Sequence, residues 1–259
     1  MAIATRTITT LSANFTQAQL SAALQTAFTN AGFSSLFDSY TSGTDLILVY
    51  AFVADASKAC GTTYLRVRIS NTFIIYQQVY SAWNPSTHTG TNGSIEVGYS
   101  TLVNTTAGVF NSLNGTSESR LVLVTQGATF LPLGVIVPVT MRSSWDLNSW
   151  TNGYIFTGST MLLLRSTLAN QYSNTENDIA LAGSTRLGTA NTIDNQRDVL
   201  TGLLLLNQGN TGFCGKTSDD IAVINGSGST RYDILTKSGT SQQYLVVNPG
   251  SGGIAMRII

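Results

Sequence analysis

The chain has 259 residues, enough to bury roughly three-quarters of its unfolded surface in one large β domain or two smaller ones. Only 10% of its residues are charged, against about 25% in an ordinary soluble domain, and thirteen basic and thirteen acidic side chains cancel. Ser, Thr and Asn make up roughly a third of the chain, so its polarity comes from hydroxyls and amides and no basic surface for nucleic acid is on offer.

Zero net charge removes the self-repulsion that keeps free proteins apart, which suits a subunit packed against neighbours. An ordinary neutral protein with a hydroxyl-rich surface has the same composition. The opening MAIATRTITTL lacks the apolar core of a secretory signal, and no run approaches the ~18 apolar residues of a membrane span. Synthesis in a cytosol follows as the expectation, with Cys60 and Cys214 as reduced thiols. N-x-S/T triplets such as Asn14-Phe15-Thr16 are chance matches in so Ser/Thr/Asn-rich a chain.

In chain order, residues 1–12 read as a short strand serving as an N-terminal arm. A helix over 16–31 follows. Thr16 and Gln19 have capping-box spacing, and Phe15 before Leu20 gives a hydrophobic staple. Leu20, Ala23, Leu24, Ala27, Phe28 and Ala31 recur at helical spacing, and Gly32 sits where a C-terminal cap belongs. Gln17, Ser21, Gln25 and Thr29 form a polar back, so the helix should lie on a sheet. Residues 33–44 read as a link.

The clearest pattern spans Asp45–Tyr80, with apolar runs DLILVYAFV, TYLRVRI and TFIIYQQVY. In the middle run Leu65, Val67 and Ile69 alternate with Tyr64, Arg66 and Arg68, giving one apolar and one wettable face. The first run is apolar nearly throughout, like a strand covered on both sides. An antiparallel meander is the expectation. AWNPSTHTGTNGS then reads as a loop.

Strand-like runs resume at 95–102, 120–125, 130–139, 154–156 and 161–165. Asn-Gly pairs at 92–93, 114–115, 152–153 and 225–226 mark type I′ hairpin turns. Pro132 and Pro138 make the 130–139 run an edge strand or irregular. Residues 166–195 have no period and read as a long, contact-making loop or arm. Short strands follow at 199–206, 221–224, 232–235, 244–247 and 254–259. The predicted class is mainly β, an antiparallel β-sandwich or barrel-like fold with one N-terminal amphipathic helix. The predicted division is an arm (1–12), a main β domain (13–165) and a loop-rich β region (166–259), which forms a second subdomain if the chain divides near 141–166.

Candidate chemistry is sparse. GNTGFCGKT (209–217) resembles a phosphate-binding loop, but five residues rather than four separate Gly209 from Gly215-Lys216, and SDDIAVI does not read as the helix that a phosphate needs. A glycine-rich turn between strands is the better reading. The one histidine, His88, lacks companions for a zinc site and a partnered nucleophile for hydrolysis, so it reads as an exposed loop residue. The acids are three glutamates (Glu96, Glu118, Glu176) and ten aspartates; Asp219-Asp220 and the alternating Asn174, Glu176 and Asp178 lie closest together. An EF-hand loop would need a glycine and a distal glutamate that are absent, and solvated loop acids are expected. No cofactor, metal site or catalytic constellation follows, and an enzyme is not expected. Trp145 and Trp150 bracket WDLNSW, with Tyr154 after it. Such aromatics suit sugar rings, a subunit interface or plain core burial.

The phrasing of TITTLSANFTQAQLSAALQTAFTNAGF and of TKSGTSQQYLVVNPGSGGIAMRI is similar to virion structural proteins of tailed bacteriophages, in particular tail, baseplate or fibre-associated proteins of phages infecting cyanobacteria. The resemblance lies in the texture of the whole chain. It implies a non-enzymatic, repeated subunit of the particle that contacts other virion proteins and copies of itself. A capsid decoration protein and a module binding host surface glycans are the alternatives. Neither nucleic acid nor membrane is an expected partner.

Overall fold

The computed structural model describes residues 3–33, 36–53, 62–115, 119–136, 140–141, 154–156, 163–166, 178–182, 196–202, 204–207, 213–225, 228–249 and 253–259. Among the described residues the fold is mainly β with one helix, as expected. The chain opens with β1 (Thr5–Leu11) and α1 (Gln17–Asn30), then the meander β2 (Leu36–Ser42), β3 (Asp45–Val53), β4 (Thr62–Ile69) and β5 (Ile75–Tyr80). A short ribbon, β6 (Ala82–Asn84) and β7 (Thr89–Thr91), leads to β8 (Val97–Gly98). Next come β9 (Gly108–Asn114), β10 (Ser119–Gln126), β11 (Thr129–Ile136), β12 (Thr140–Met141), β13 (Tyr154–Phe156), β14 (Leu163–Ser166) and β15 (Asp178–Ala182). The last group is β16 (Gln196–Arg197), β17 (Val199–Thr201), β18 (Leu204–Asn207), β19 (Phe213–Lys216), β20 (Ile221–Ile224), β21 (Ile234–Lys237), β22 (Gln243–Asn248) and β23 (Gly253–Arg257).

These strands form three main sheets. The central sheet runs β1-β9-β10-β11-β13-β14-β15-β18-β19-β12, the meander sheet β2-β3-β4-β5-β8, and the C-terminal sheet β16-β21-β22-β23-β20-β17. The central sheet draws strands from both sides of residue 165. One core joins α1 (Leu20, Leu24, Phe28), the meander sheet (Tyr50, Leu65, Val67) and the central sheet (Val122, Val124, Leu133). A second core joins the opposite face of the central sheet (Leu121, Leu123, Phe156) to the C-terminal sheet (Val223, Leu245, Ile254). Successive side chains of β10 therefore enter different cores, which is why SRLVLVTQ is apolar in the middle without alternation.

The meander forms with the expected faces. In β4, Leu65, Val67 and Ile69 are fully buried while Tyr64, Arg66 and Arg68 are half-buried on the other side. Residues 33–44, expected as a link, contain β2 instead. Ser42 pairs with Asp45, leaving a two-residue turn in which Gly43 takes φ +61°. Gly127 does the same between Gln126 and Thr129. A positive φ at the first central residue alone fits the II′ hairpin turn. The Asn114-Gly115 pair instead opens a longer β9–β10 connection, since Asn114 pairs with Arg120.

Helix α1 carries the expected capping box: Thr16 Oγ1 accepts from Gln19 N, and Gln19 Oε1 accepts from Thr16 N. It ends in a Schellman motif, with Gly32 N–H donating to Thr29 O and Phe33 N–H to Phe28 O. The accompanying apolar contact is Phe28 against Phe33, ring centroids 5.2 Å apart. The polar back is not simply solvated. Gln17 Nε2 donates to the carbonyls of Thr44 and Ile69, and Ser21 is buried.

Strand β11 pairs along its length with β10 but touches β13 only at Ile136, so Pro132 lies on an open edge, as its missing N–H requires. That edge is closed from the next layer. Gly134 N–H donates to Gln77 Oε1 at 3.1 Å, and Gln77 Nε2 donates to Pro132 O at 3.2 Å. Tyr99 Oη donates to Phe156 O at 2.7 Å and lies 3.0 Å from Pro132 O. One glutamine amide thus stands in for a missing strand. Gly134 has φ +116°, and a side chain there would collide with the Arg120 carbonyl.

Other expectations change. The expected loop 82–94 holds the β6–β7 ribbon, and within the expected loop 166–195 the described residues 178–182 form β15. The 199–206 run splits into β17 and β18, which join different sheets across Gly202 with φ +64°. Thr5–Leu11 forms the short strand expected within residues 1–12, and it lies at the edge of the central sheet in register with β9.

Candidate functional site

The densest polar and aromatic surface among the described residues is the outer face of the meander sheet. Strand register arranges it in rows. Ala51, Tyr64 and Tyr80 form one row, Val49, Arg66 and Gln78 the next, and Tyr40, Ile47, Arg68 and Tyr76 a third. Phe37 extends the first row, its ring edge-on to Tyr64 with centroids 5.0 Å apart, and is 40% exposed.

The β6–β7 ribbon folds over one part of this face. Trp83 covers Ile47 and Val49 and meets Tyr80 edge-on at 5.1 Å. One carboxylate oxygen clasps the ribbon: Asp38 Oδ2 accepts from Trp83 Nε1 at 2.8 Å and lies 2.9 Å from His88 Nδ1. The His88 ring stacks on Tyr40 at 4.1 Å. His88 has φ +54°, a conformation a non-glycine residue holds only when its surroundings fix it. His88 is exposed in a turn, as expected, and it also fastens the ribbon through Asp38 and Tyr40. Among the described residues no hydroxyl or thiol hydrogen-bonds to its ring.

Beside the ribbon lies an ion network. Arg68 reaches Glu96 Oε2 at 2.5 Å and Asp45 Oδ2 at 2.7 Å, while Arg66 reaches Glu96 Oε1 at 2.7 Å. The Arg68 guanidinium also lies 3.6 Å above the Tyr76 ring. Its pKa is raised, chiefly by the Glu96 hydrogen bonds, against the opposing effect of burial. Burial pushes the Glu96 carboxyl up, but Arg68 and Arg66 outweigh it and hold that carboxyl below its ordinary value. Four charges thus neutralise one another on the face that β4 presents.

The residues singled out in the sequence are scattered. Trp145 and Trp150 lie outside the described residues, and Tyr154 opens β13, paired with Ile136 and Ser166. Glu118, Glu176 and Cys60 also lie outside, and Cys214 is on β19. Lys216 ends β19, antiparallel to β18, so Gly215-Lys216 sits in a strand and not at a helix N-terminus. Asp220 is buried at a turn, where its carboxylate accepts from Ser218 Oγ and its carbonyl accepts from Arg257 N–H. Among the described residues no three His, Cys, Asp or Glu side chains gather around a common point, and no helix is long and apolar enough to cross a membrane.

Comparison with protein-family models, with curated proteins and with solved structures found no match.

Proposed function

We propose that this chain is a structural subunit of a tailed-phage particle, assembled through its own subunit contacts in the tail, baseplate or fibre region. The observation that carries the reading is the outer face of the meander sheet. There Arg66, Arg68, Glu96 and Asp45 are spent on one another, and His88 and Asp38 on holding the ribbon. Ionisable groups placed for chemistry keep a hydrogen-bonding direction open toward substrate; these fasten strands together. A neutral, hydroxyl-rich composition and the phage-like texture of both termini support the same reading. The test is density-gradient purification of particles from a culture making this chain. It should band with intact virions and survive a high-salt wash; recovery only in the soluble fraction overturns the reading.

A second reading, contact with host surface glycans, is favoured by one observation. Exposed Phe37 meets the half-buried Tyr64 ring edge-on beside polar side chains, an aromatic surface of the kind on which sugars stack. It adds this face as a candidate platform beside Trp145, Trp150 and Tyr154. Phe37→Ala and Tyr64→Ala should abolish retention on immobilised host polysaccharide; unchanged retention sinks it.

A further inference from the structure

The edges of the three main sheets are protected unequally. β8, β12 and β16 are two residues long and β17 is three, too short to template another strand. β2 is longer, but a register shift between Leu36 and Asp38 bends it, and it carries an acid. β1 has none of these devices. Seven residues run in unbroken register with β9, without proline or bulge, and among the described residues no strand pairs along its far side. Its one charge is drawn onto its own chain: Arg6 Nε and Nη2 donate to Asn111 Oδ1 at 2.9 and 2.7 Å, and the guanidinium lies 4.8 Å from the Tyr232 ring.

We propose that the free edge of β1 pairs antiparallel with β1 of a second copy, on a two-fold axis through Ile8, joining two central sheets into one. This inference rests on the assembly reading above and names the contact. The sequence of β1 is complementary to itself in this register. Thr7 meets Thr9 of the second copy, Arg6 meets Thr10, Thr5 meets Leu11 and Ile8 meets Ile8, so no like charges face each other and hydroxyls meet hydroxyls. The helix does not obstruct it. Thr9 accepts from Asn30 Nδ2 and Leu11 enters the core with α1, so odd positions face the helix. Ile8 therefore points to the other face, where it is 55% exposed, a large apolar side chain left in water at the centre of the strand. One strand pairing buries less than a standard interface of about 1,600 Å², so the free dimer is weak and the close packing of an assembly strengthens it.

The test uses the full chain with Cys60→Ser and Cys214→Ser. Adding Ile8→Cys should give a disulfide-linked dimer under mild oxidation. Thr5→Cys, which lies about 20 Å from its mate in this register, should give none above the collision rate. Ile8→Lys should raise the dissociation constant of the native dimer by roughly tenfold in concentration-dependent light scattering, since it sets two like charges face to face. Dimers that persist in Ile8→Lys, with the Ile8→Cys chain linking no faster than the Thr5→Cys chain, overturn the β1 contact and leave the assembly reading standing. A compact monomer at every concentration, with no disulfide link in the Ile8→Cys chain, overturns the β1 contact and counts against self-assembly together.

Discussion

Strands β3, β4 and β5 have two faces that follow different physics. The inner face is apolar apart from Gln77, which is fully buried and bonded to the backbone of β11, and the buried hydroxyls of Tyr50 and Thr63, which have no hydrogen-bond partner among the described residues. The outer face carries Arg66, Arg68, Glu96, Tyr76 and Tyr80 in a half-wet surface. Inside, stability comes from area removed from water, with the Gln77 amide paired to backbone. Outside, the charges gain little net energy because water competes for them, and they fix geometry. The inner face should therefore carry large, pH-independent free energies, and the outer face small, pH-dependent ones.

Phe28→Ala tests the inner side most severely. Its ring is fully buried, 4.7 Å from Tyr50 and 5.2 Å from Phe33. The cavity should cost about 3–5 kcal/mol in urea unfolding, equally at neutral and mildly acidic pH. A loss below about 1 kcal/mol would mean that α1 is not packed on the meander as described. Gln77→Leu comes next, at roughly 2 kcal/mol, because the near-isosteric side chain leaves Gly134 N–H without its acceptor. Hydrogen exchange reads this directly: the Gly134 amide should exchange much faster in the variant, and unchanged protection would show that the glutamine does not close that edge.

Legibility in the sequence follows the same division. The helix and the meander were readable because their apolar residues keep the period of the element and the caps are local. β9 was not, because GVFNSLN buries Asn111 and Ser112 beside its apolar residues. Both are satisfied at a distance, Asn111 by Arg6 and Ser112 by donating to Ala27 O at 2.7 Å. β2 was hidden by its bulge, which breaks alternation. The outer face was half visible: alternation in β4 placed Tyr64, Arg66 and Arg68 together, but Asp38 and His88 lie fifty positions apart and nothing local pairs them. Trp83, a large aromatic within a Ser/Thr/Gly-rich stretch beside His88, was the signal that a loop there had something to cover. The N-terminal strand was seen, but sequence pattern says nothing of its partner, which is β9, about a hundred residues on.

Glu96→Gln probes the outer face and should give the smallest effect. The folded carboxyl lies below its ordinary value of 4.5, because the attraction of Arg68 and Arg66 outweighs burial. A carboxyl lowered by folding contributes stability that is fully present above the ordinary value and is lost as pH falls through the lowered one. The native chain should therefore lose stability across that acid window more steeply than Glu96→Gln does. At neutral pH the two should differ by under about 1 kcal/mol, and molar salt should shrink the gap further, because the pairs stand partly in water. Superimposable acid-unfolding curves would mean that the Arg66–Glu96–Arg68 network holds no more energy than its members have in the unfolded chain. A large neutral-pH loss, comparable to Phe28→Ala, would mean that the outer face is a second core, and the contrast between the two faces would collapse.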